Sequence, residues 1–384
     1  MKGWSKIMKA VTIQGKEHME VKEVADPKIE RSDDMIVRIT ASGICGSDLH
    51  LYKGGIPTPE DYVVGHEPMG IVEEVGPDVK TLKKGDRVVI PFNIGCGECY
   101  YCTHQMESQC DNSNPHAEMG GLFGFSEDFG NFPGGQAEYL RVPYADFTSF
   151  KVPEDSELKD ESVLFLSDVV PTAFWSIENS GATYGDTIII LGCGPIGLMA
   201  QKFAWMKGAS RVIAVDQVPH RLEHARRTNN VETYNFSETK EIGKLLHENT
   251  KGGADVVVDC VGMDGTVPPD TAFGSESDNQ FGTISPIVTA SQSVKKNGVV
   301  QLTGVYGTEA NGFPIGDFFT RNVALTMGQA PVIHMMPSLY RMIENKLFDP
   351  TDIITHPIPL EDAAEGYRIF DEKEDGNIKV ILKP

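Results

Sequence analysis

The stretch Ile188-Ile189-Ile190-Leu191-Gly192-Cys193-Gly194-Pro195-Ile196-Gly197-Leu198 decides the fold. Consecutive large aliphatic residues suit a strand buried on both faces, as in parallel sheets. The run then breaks into Gly-x-Gly-x-x-Gly and continues as a helix. The pattern alone is weak, but its place between strand and helix gives it weight. There Gly192 makes the turn, Gly194 lets a pyrophosphate approach the backbone, and Gly197 lets the helix pack on the sheet. The helix N-terminus faces the phosphates. Asp216 ends the next strand. A carboxylate there accepts hydrogen bonds from the ribose hydroxyls of an adenosine and repels a 2′-phosphate, which favours NAD over NADP. Arg221 suits either a place beside the adenine or phosphate or a plain solvated helix face.

Outward from this stretch, apolar strands at 187–191, 211–215, 254–260, 298–304 and 323–327 alternate with helical stretches at 195–207, 220–228 and 239–250. This predicts an α/β domain with a doubly wound parallel sheet. Residues 262–285 are polar and rich in Gly, Pro and Asp, which predicts a long inserted loop. The first 165 or so residues read differently, with short β-like runs at 35–40, 70–75 and 86–91 and little helical periodicity. The pattern is mixed again after about residue 330. Cys193 and Cys260 read as small packing residues.

At 384 residues, two domains are expected. The formal charge of -21 argues against nucleic acid or an anionic membrane as partner and leaves a small molecule open. No apolar run reaches the roughly 20 residues of a membrane helix, and the start lacks the apolar core of a signal peptide. A cytoplasmic protein is expected, with residues 1–7 a frayed extension before a second possible start at Met8.

Four of the seven cysteines, Cys96, Cys99, Cys102 and Cys110, form a C-x2-C-x2-C-x7-C ladder. In a reducing compartment such a cluster reads as metal ligands before disulfides. Four thiolates close a tetrahedral structural zinc site and leave no position for substrate. An iron–sulfur cluster or two disulfides are the competing readings. His104 inside the loop reads as a surface residue.

A second constellation lies upstream in Cys45-Gly46-Ser47-Asp48-Leu49-His50 and Gly65-His66-Glu67-Pro68-Met69-Gly70. A catalytic zinc takes three protein ligands and keeps one open position. Cys45 and His66 offer a thiolate and an imidazole; Glu67, Asp168 or a further Cys could supply the third. Such an ion polarises a carbonyl or acidifies an alcohol, which then gives up hydride to a cofactor. The proton must leave through a relay, for which Ser47 and His50 are suited. Phe92, Leu122 and Phe123 suit an apolar pocket or ordinary packing.

Together, the Gly65-His66-Glu67-x-x-Gly70-x5-Gly76 motif, the cysteine ladder and the glycine loop resemble the zinc-containing medium-chain alcohol dehydrogenases over residues 8–384. Three features resemble the formaldehyde dehydrogenase-like branch. They are Asp168 in Phe165-Leu166-Ser167-Asp168, the runs Leu302-Thr303-Gly304-Val305-Tyr306-Gly307 and Gly328-Gln329-Ala330, and the insertion at 262–285. The resemblance implies a split GroES-like β-rich catalytic domain (1–166 with 330–384), an inserted Rossmann domain (167–329), an active site in the cleft between, and a homodimer or homotetramer. It makes Cys45, His66 and Asp168 the ligands of a catalytic zinc, Glu67 a neighbour of that ion, and Ser47 and His50 the relay. Gly46, Thr172, Ile196, Asp216, Arg221, Val261, Gly304, Val305 and Gln329 become neighbours of NAD.

The implied activity is hydride transfer between NAD and a primary alcohol or aldehyde hydrate, formaldehyde or its thiol adduct included. An aldehyde dismutase with retained NAD, or a non-catalytic dinucleotide-binding protein, are the alternatives. The insertion's Thr266-Val267-Pro268-Pro269-Asp270, with few basic residues nearby, departs from the branch and argues against firm retention of NAD.

Overall fold

A computed structural model describes residues 7–266, 283–307 and 311–384. Residues 1–6 of the expected extension and 267–282 of the expected insertion lie outside them. The chain divides into two compact units, Met1–Pro171 with Pro331–Pro384, and Thr172–Ala330.

The first unit is built on a seven-stranded sheet. Its central strand, Met35–Ile44, pairs antiparallel with Glu67–Val75, Tyr139–Val142 and the C-terminal Lys379–Lys383. Met35, Val37 and Ile39 alternate onto one face and pack with Val72, Val88, Ile90, Phe123 and Leu140. The last strand also pairs with Ile354–Pro359, so chain from both ends of the sequence shares one sheet. A two-stranded ribbon, Ile7–Gly15 with His18–Ala25, lies beside it. Ile7, placed by sequence in a frayed extension, opens this ribbon opposite Ala25. Each sequence-expected strand here begins or ends elsewhere: Met35–Ile44 and Glu67–Val75 run longer, and Arg87–Val89 is shorter.

The second unit carries six strands in the order Glu232–Asn235, Arg211–Asp216, Thr187–Leu191, Ala254–Asp259, Val294–Leu302 and Ala324–Met327, all parallel. Both faces are covered: Ile189, Ile213 and Val257 are buried on one side, and Ile188, Val212 and Val256 are buried too. The strand order reverses between Thr187–Leu191 and Ala254–Asp259, which is where such sheets take ligands at their carboxyl ends.

Two differences from the sequence reading have physical causes. Glu232–Asn235 is an edge strand, so it needs no continuous apolar run and its residues Glu232-Thr233-Tyr234-Asn235 hid it. The strand expected at 298–304 spans Val294–Leu302, with exposed Lys296 and Asn297 in its first half, and stops before Gly304. The expected loop ends at Ser285, where the helix Ser285–Ser293 begins.

Candidate metal centres and cofactor edge

The strand Met35–Ile44 runs out at Cys45, and the short helix Asp48–Tyr52 turns the chain back. His66 stands just before Glu67–Val75, the strand paired beside it. Asp168 follows a 3-10 turn, Leu164–Ser167, fixed to the same unit by the Phe92 N–H bond to the Ser167 carbonyl, 3.0 Å. These elements bring ligand atoms of Cys45, His66, Glu67 and Asp168 within 4.8 Å of one another, all buried. Asp168 Oδ2 lies 3.4 Å from His66 Nε2 and 3.5 Å from Cys45 Sγ. Zinc–ligand bonds near 2.0–2.3 Å at tetrahedral angles put such atoms about 3.4–3.6 Å apart. The spacing therefore fits a zinc ion.

The electrostatics fit as well. Burial pushes the Cys45 thiol up, and the carboxylates of Asp168 and Glu67 push it further. Burial also raises Glu67, a rise that Lys379 only partly offsets. A buried thiol among carboxylates resists ionising, and a divalent cation at their centre reverses that balance. Burial alone would lower His66, but Asp48 and Asp168 outweigh it and hold it well above the usual imidazole range.

Ser47 Oγ lies 3.3 Å from both Cys45 Sγ and His66 Nε2, at the rim of the cluster. His50 sits within the helix Asp48–Tyr52 and is buried. Phe92 and Phe125 flank the His66 ring at 6.2 and 5.1 Å between centroids. Phe123 is instead a core residue packed edge-on against Phe132. Phe125 was missed by the sequence reading, as were four polar residues behind the cluster. Asp48 Oδ1 stands 2.9 Å from His66 Nδ1, and its Oδ2 accepts the Cys45 N–H at 2.9 Å and a Gln136 N–H at 3.3 Å. Gln136 accepts the Tyr367 hydroxyl at 2.8 Å. Lys379, fully buried, donates to Glu67 Oε1 at 2.7 Å and stands 2.6 Å from Oε2. Burial would lower the Lys379 ammonium, and Glu67 more than reverses this. Asp48 lies three positions after Cys45 but drew no role from its sequence; Gln136, Tyr367 and Lys379 belong to no motif, and only the topology places them.

The ladder Cys96, Cys99, Cys102 and Cys110 also converges. Sulfur pairs Cys96–Cys102 and Cys99–Cys110 stand 3.9 Å apart. That is far beyond a disulfide and close to the roughly 3.8 Å edge of a four-thiolate zinc tetrahedron. Cys96 Sγ accepts from Cys99 N–H and Asn112 at 3.3 Å. The hydrogen bond from Cys102 lowers Cys110 to about 4, while Cys102 is raised. Such a set gives up its first proton readily and suits a cation. Glu107 in the same loop is buried and accepts the His334 backbone N–H at 2.8 Å, docking the loop on the C-terminal segment. His104 is exposed and stacks on Tyr100.

In the second unit, Gly197 packs so closely that a Cβ there would lie 2.0 Å from the Gly192 carbonyl oxygen. Gly194 caps the helix Pro195–Met206, and Ile196 lies in its first turn. Asp216 Oδ2 accepts the Cys193 N–H at 2.6 Å, and Oδ1 accepts those of Gln217 and Val218 at 2.7 and 2.9 Å. The carboxylate is thus fixed at the mouth of the glycine loop. Arg221 is buried beside Gly194, and burial lowers its pKa. Val261, Gly304 with Val305, and Gln329 each follow the carboxyl end of a strand. Thr172 is buried in the helix Val169–Asn179, whereas Gly46 belongs to the first unit beside Cys45. Cys193 and Cys260 are free thiols, the first fully buried.

Residues 31–154 match the alcohol dehydrogenase GroES-like domain, and 195–271 match the zinc-binding dehydrogenase domain. The chain is 58% identical to the zinc-type alcohol dehydrogenase-like protein AdhB of Bacillus subtilis over 98% of its own length and 100% of that protein's. It is 33% identical to a glutathione-independent formaldehyde dehydrogenase of Pseudomonas aeruginosa, covering 94% of each. The solved alcohol dehydrogenase TADH from Thermus sp. ATN1 superposes with a TM-score of 0.84 at 34% identity, covering 98% of this chain and 99% of that one.

Proposed function

The chain belongs to the zinc-type alcohol dehydrogenase family, a family of oxidoreductases with a GroES-like and a Rossmann-like part, and we propose that it moves hydride between NAD and a primary alcohol or aldehyde hydrate. The observation that carries this is the convergence of Cys45, His66, Glu67 and Asp168 within 4.8 Å. Cys45, His66 and Asp168 would hold the reactive zinc, with Glu67 behind them. When bound there, zinc supplies the Lewis acidity that makes a substrate hydroxyl acidic. The four thiolates of Cys96, Cys99, Cys102 and Cys110 would hold a second, structural zinc.

The remaining work falls to the chain's own side chains. Ser47, 3.3 Å from two of the ligand atoms, would take the substrate's hydroxyl proton, with His50 as the next group of the relay. Phe92 and Phe125 keep water from one side of the His66 ring. Gly192, Gly194 and Gly197 would admit the pyrophosphate. Asp216 would accept the ribose hydroxyls, with Thr172, Ile196, Arg221, Val261, Gly304, Val305 and Gln329 as further cofactor neighbours.

Purified protein given NAD and small primary alcohols at alkaline pH should generate the absorbance of NADH. No reduction with any alcohol, together with no oxidation of NADH by any aldehyde, would refute the proposal. Asp216→Ala should raise KM for NAD by about tenfold or more, from the loss of charge-assisted hydrogen bonds. Because Asp216 also holds the glycine loop, both cofactors should weaken; the diagnostic is the ratio. NADP should gain on NAD, and an unchanged ratio would remove the case for NAD.

For assembly we propose a homodimer or homotetramer, which a single-chain mass by light scattering would refute. A cytoplasmic location is in keeping with seven unpaired cysteines. No helix of the described residues is long and apolar enough to cross a membrane.

A further inference from the structure

We infer that Gln136 and Tyr367 are positioning residues for the reactive zinc: with Asp48 they form a one-way hydrogen-bond chain that decides which nitrogen of His66 faces the metal. The direction follows from one group whose role is fixed. The Gly43 carbonyl can only accept, and it lies 3.1 Å from Gln136 Nε2. The amide nitrogen must therefore point toward Gly43, and its second hydrogen goes to Asp48 Oδ2 at 3.3 Å. Turning the amide round would set its oxygen against two acceptors. Gln136 Oε1 then faces Tyr367, whose hydroxyl donates to it at 2.8 Å.

Asp48 Oδ2 also takes the Cys45 N–H, which leaves Oδ1 for His66 Nδ1 at 2.9 Å. Asp48 thus stands on the Nδ1 side of the ring, and Nε2 faces Cys45 and Asp168. Asp48, Gln136 and Tyr367 are all completely buried, so no water can replace a lost partner. A separate observation ties Gln136 to the ligand segment. Gly65, next to His66, has φ +99°, and a Cβ there would lie 2.2 Å from Gln136 Cγ. The glycine of the Gly-His-Glu motif makes room for this amide.

The inference rests on the zinc ligands proposed above. It is tested on the full-length, zinc-loaded protein by adding excess EDTA and following release of each zinc pool by metal analysis. Tyr367→Phe removes only the hydroxyl. Gln136→Glu still accepts from Tyr367 but has no hydrogen for Gly43 or Asp48. Both should release the reactive zinc about tenfold faster or more, the scale typical of partners behind a metal ligand. The four-thiolate zinc should leave at the wild-type rate. The inference is overturned if either folded variant releases the reactive zinc at the wild-type rate, or if both pools speed up alike. Should Gln136→Glu fail to fold, Tyr367→Phe decides. A wild type with no zinc outside the thiolate loop would refute the ligand assignment itself, and the inference with it.

Discussion

Asp168→Ala should lose the zinc of the Cys45–His66 cluster, and with it all measurable alcohol oxidation, while keeping the zinc of the cysteine ladder. Asp168 Oδ2 is the atom within 3.4–3.5 Å of both other ligands. Without it a thiol and an imidazole remain, too few for a catalytic site. Glu67 lies close enough to be considered as a substitute. Lys379, however, grips both its oxygens. Asp168→Cys, by contrast, should keep the metal, because a thiolate is an equally good zinc ligand. Elemental analysis of the purified variants is the measurement. Undiminished zinc in Asp168→Ala would show that Asp168 is not a ligand.

Lys379→Met should destabilise the first unit more than other single changes at this site. The ion pair with Glu67 has both side chains at 0% exposure. Removing one partner of a buried pair strands the other charge, at a cost of about 3–5 kcal/mol. A fall in melting temperature on the order of ten degrees follows for a unit of this size. Adding Glu67→Gln to Lys379→Met should restore much of the loss, because no unpaired charge then remains. Equal melting temperatures for wild type and Lys379→Met would show that the pair contributes nothing.

The parallel sheet was largely legible in the sequence because its central strands are buried on both faces. Its strand Thr187–Leu191 carries the uninterrupted apolar run of residues 188–191 for that reason. The edge strand Glu232–Asn235 and the polar start of Val294–Leu302 were not, since solvent there relaxes the demand for apolar side chains. At the candidate site, Cys45 and His66 stood out because thiol and imidazole are scarce and sit in glycine-marked motifs. Asp168 is 123 positions from Cys45 and of a common type, so only family resemblance suggested it. Gln136, Tyr367 and Lys379 were invisible for the same reason, and Asp48, only three positions from Cys45, is of too common a type to stand out. Lys379 reaches Glu67 across 312 positions, a proximity created by pairing Lys379–Lys383 with Met35–Ile44.

That pairing has a consequence for biosynthesis. The second unit is one unbroken stretch, Thr172–Ala330, and can fold while translation continues. The first unit cannot be completed until its final strand, Lys379–Lys383, has left the ribosome. Tyr367 and Lys379 follow the whole second unit in the chain, so the scaffold behind the reactive metal is finished only after that unit has been made. A nascent chain can present Cys45, His66 and Asp168 early, but it cannot yet hold them as the finished protein does.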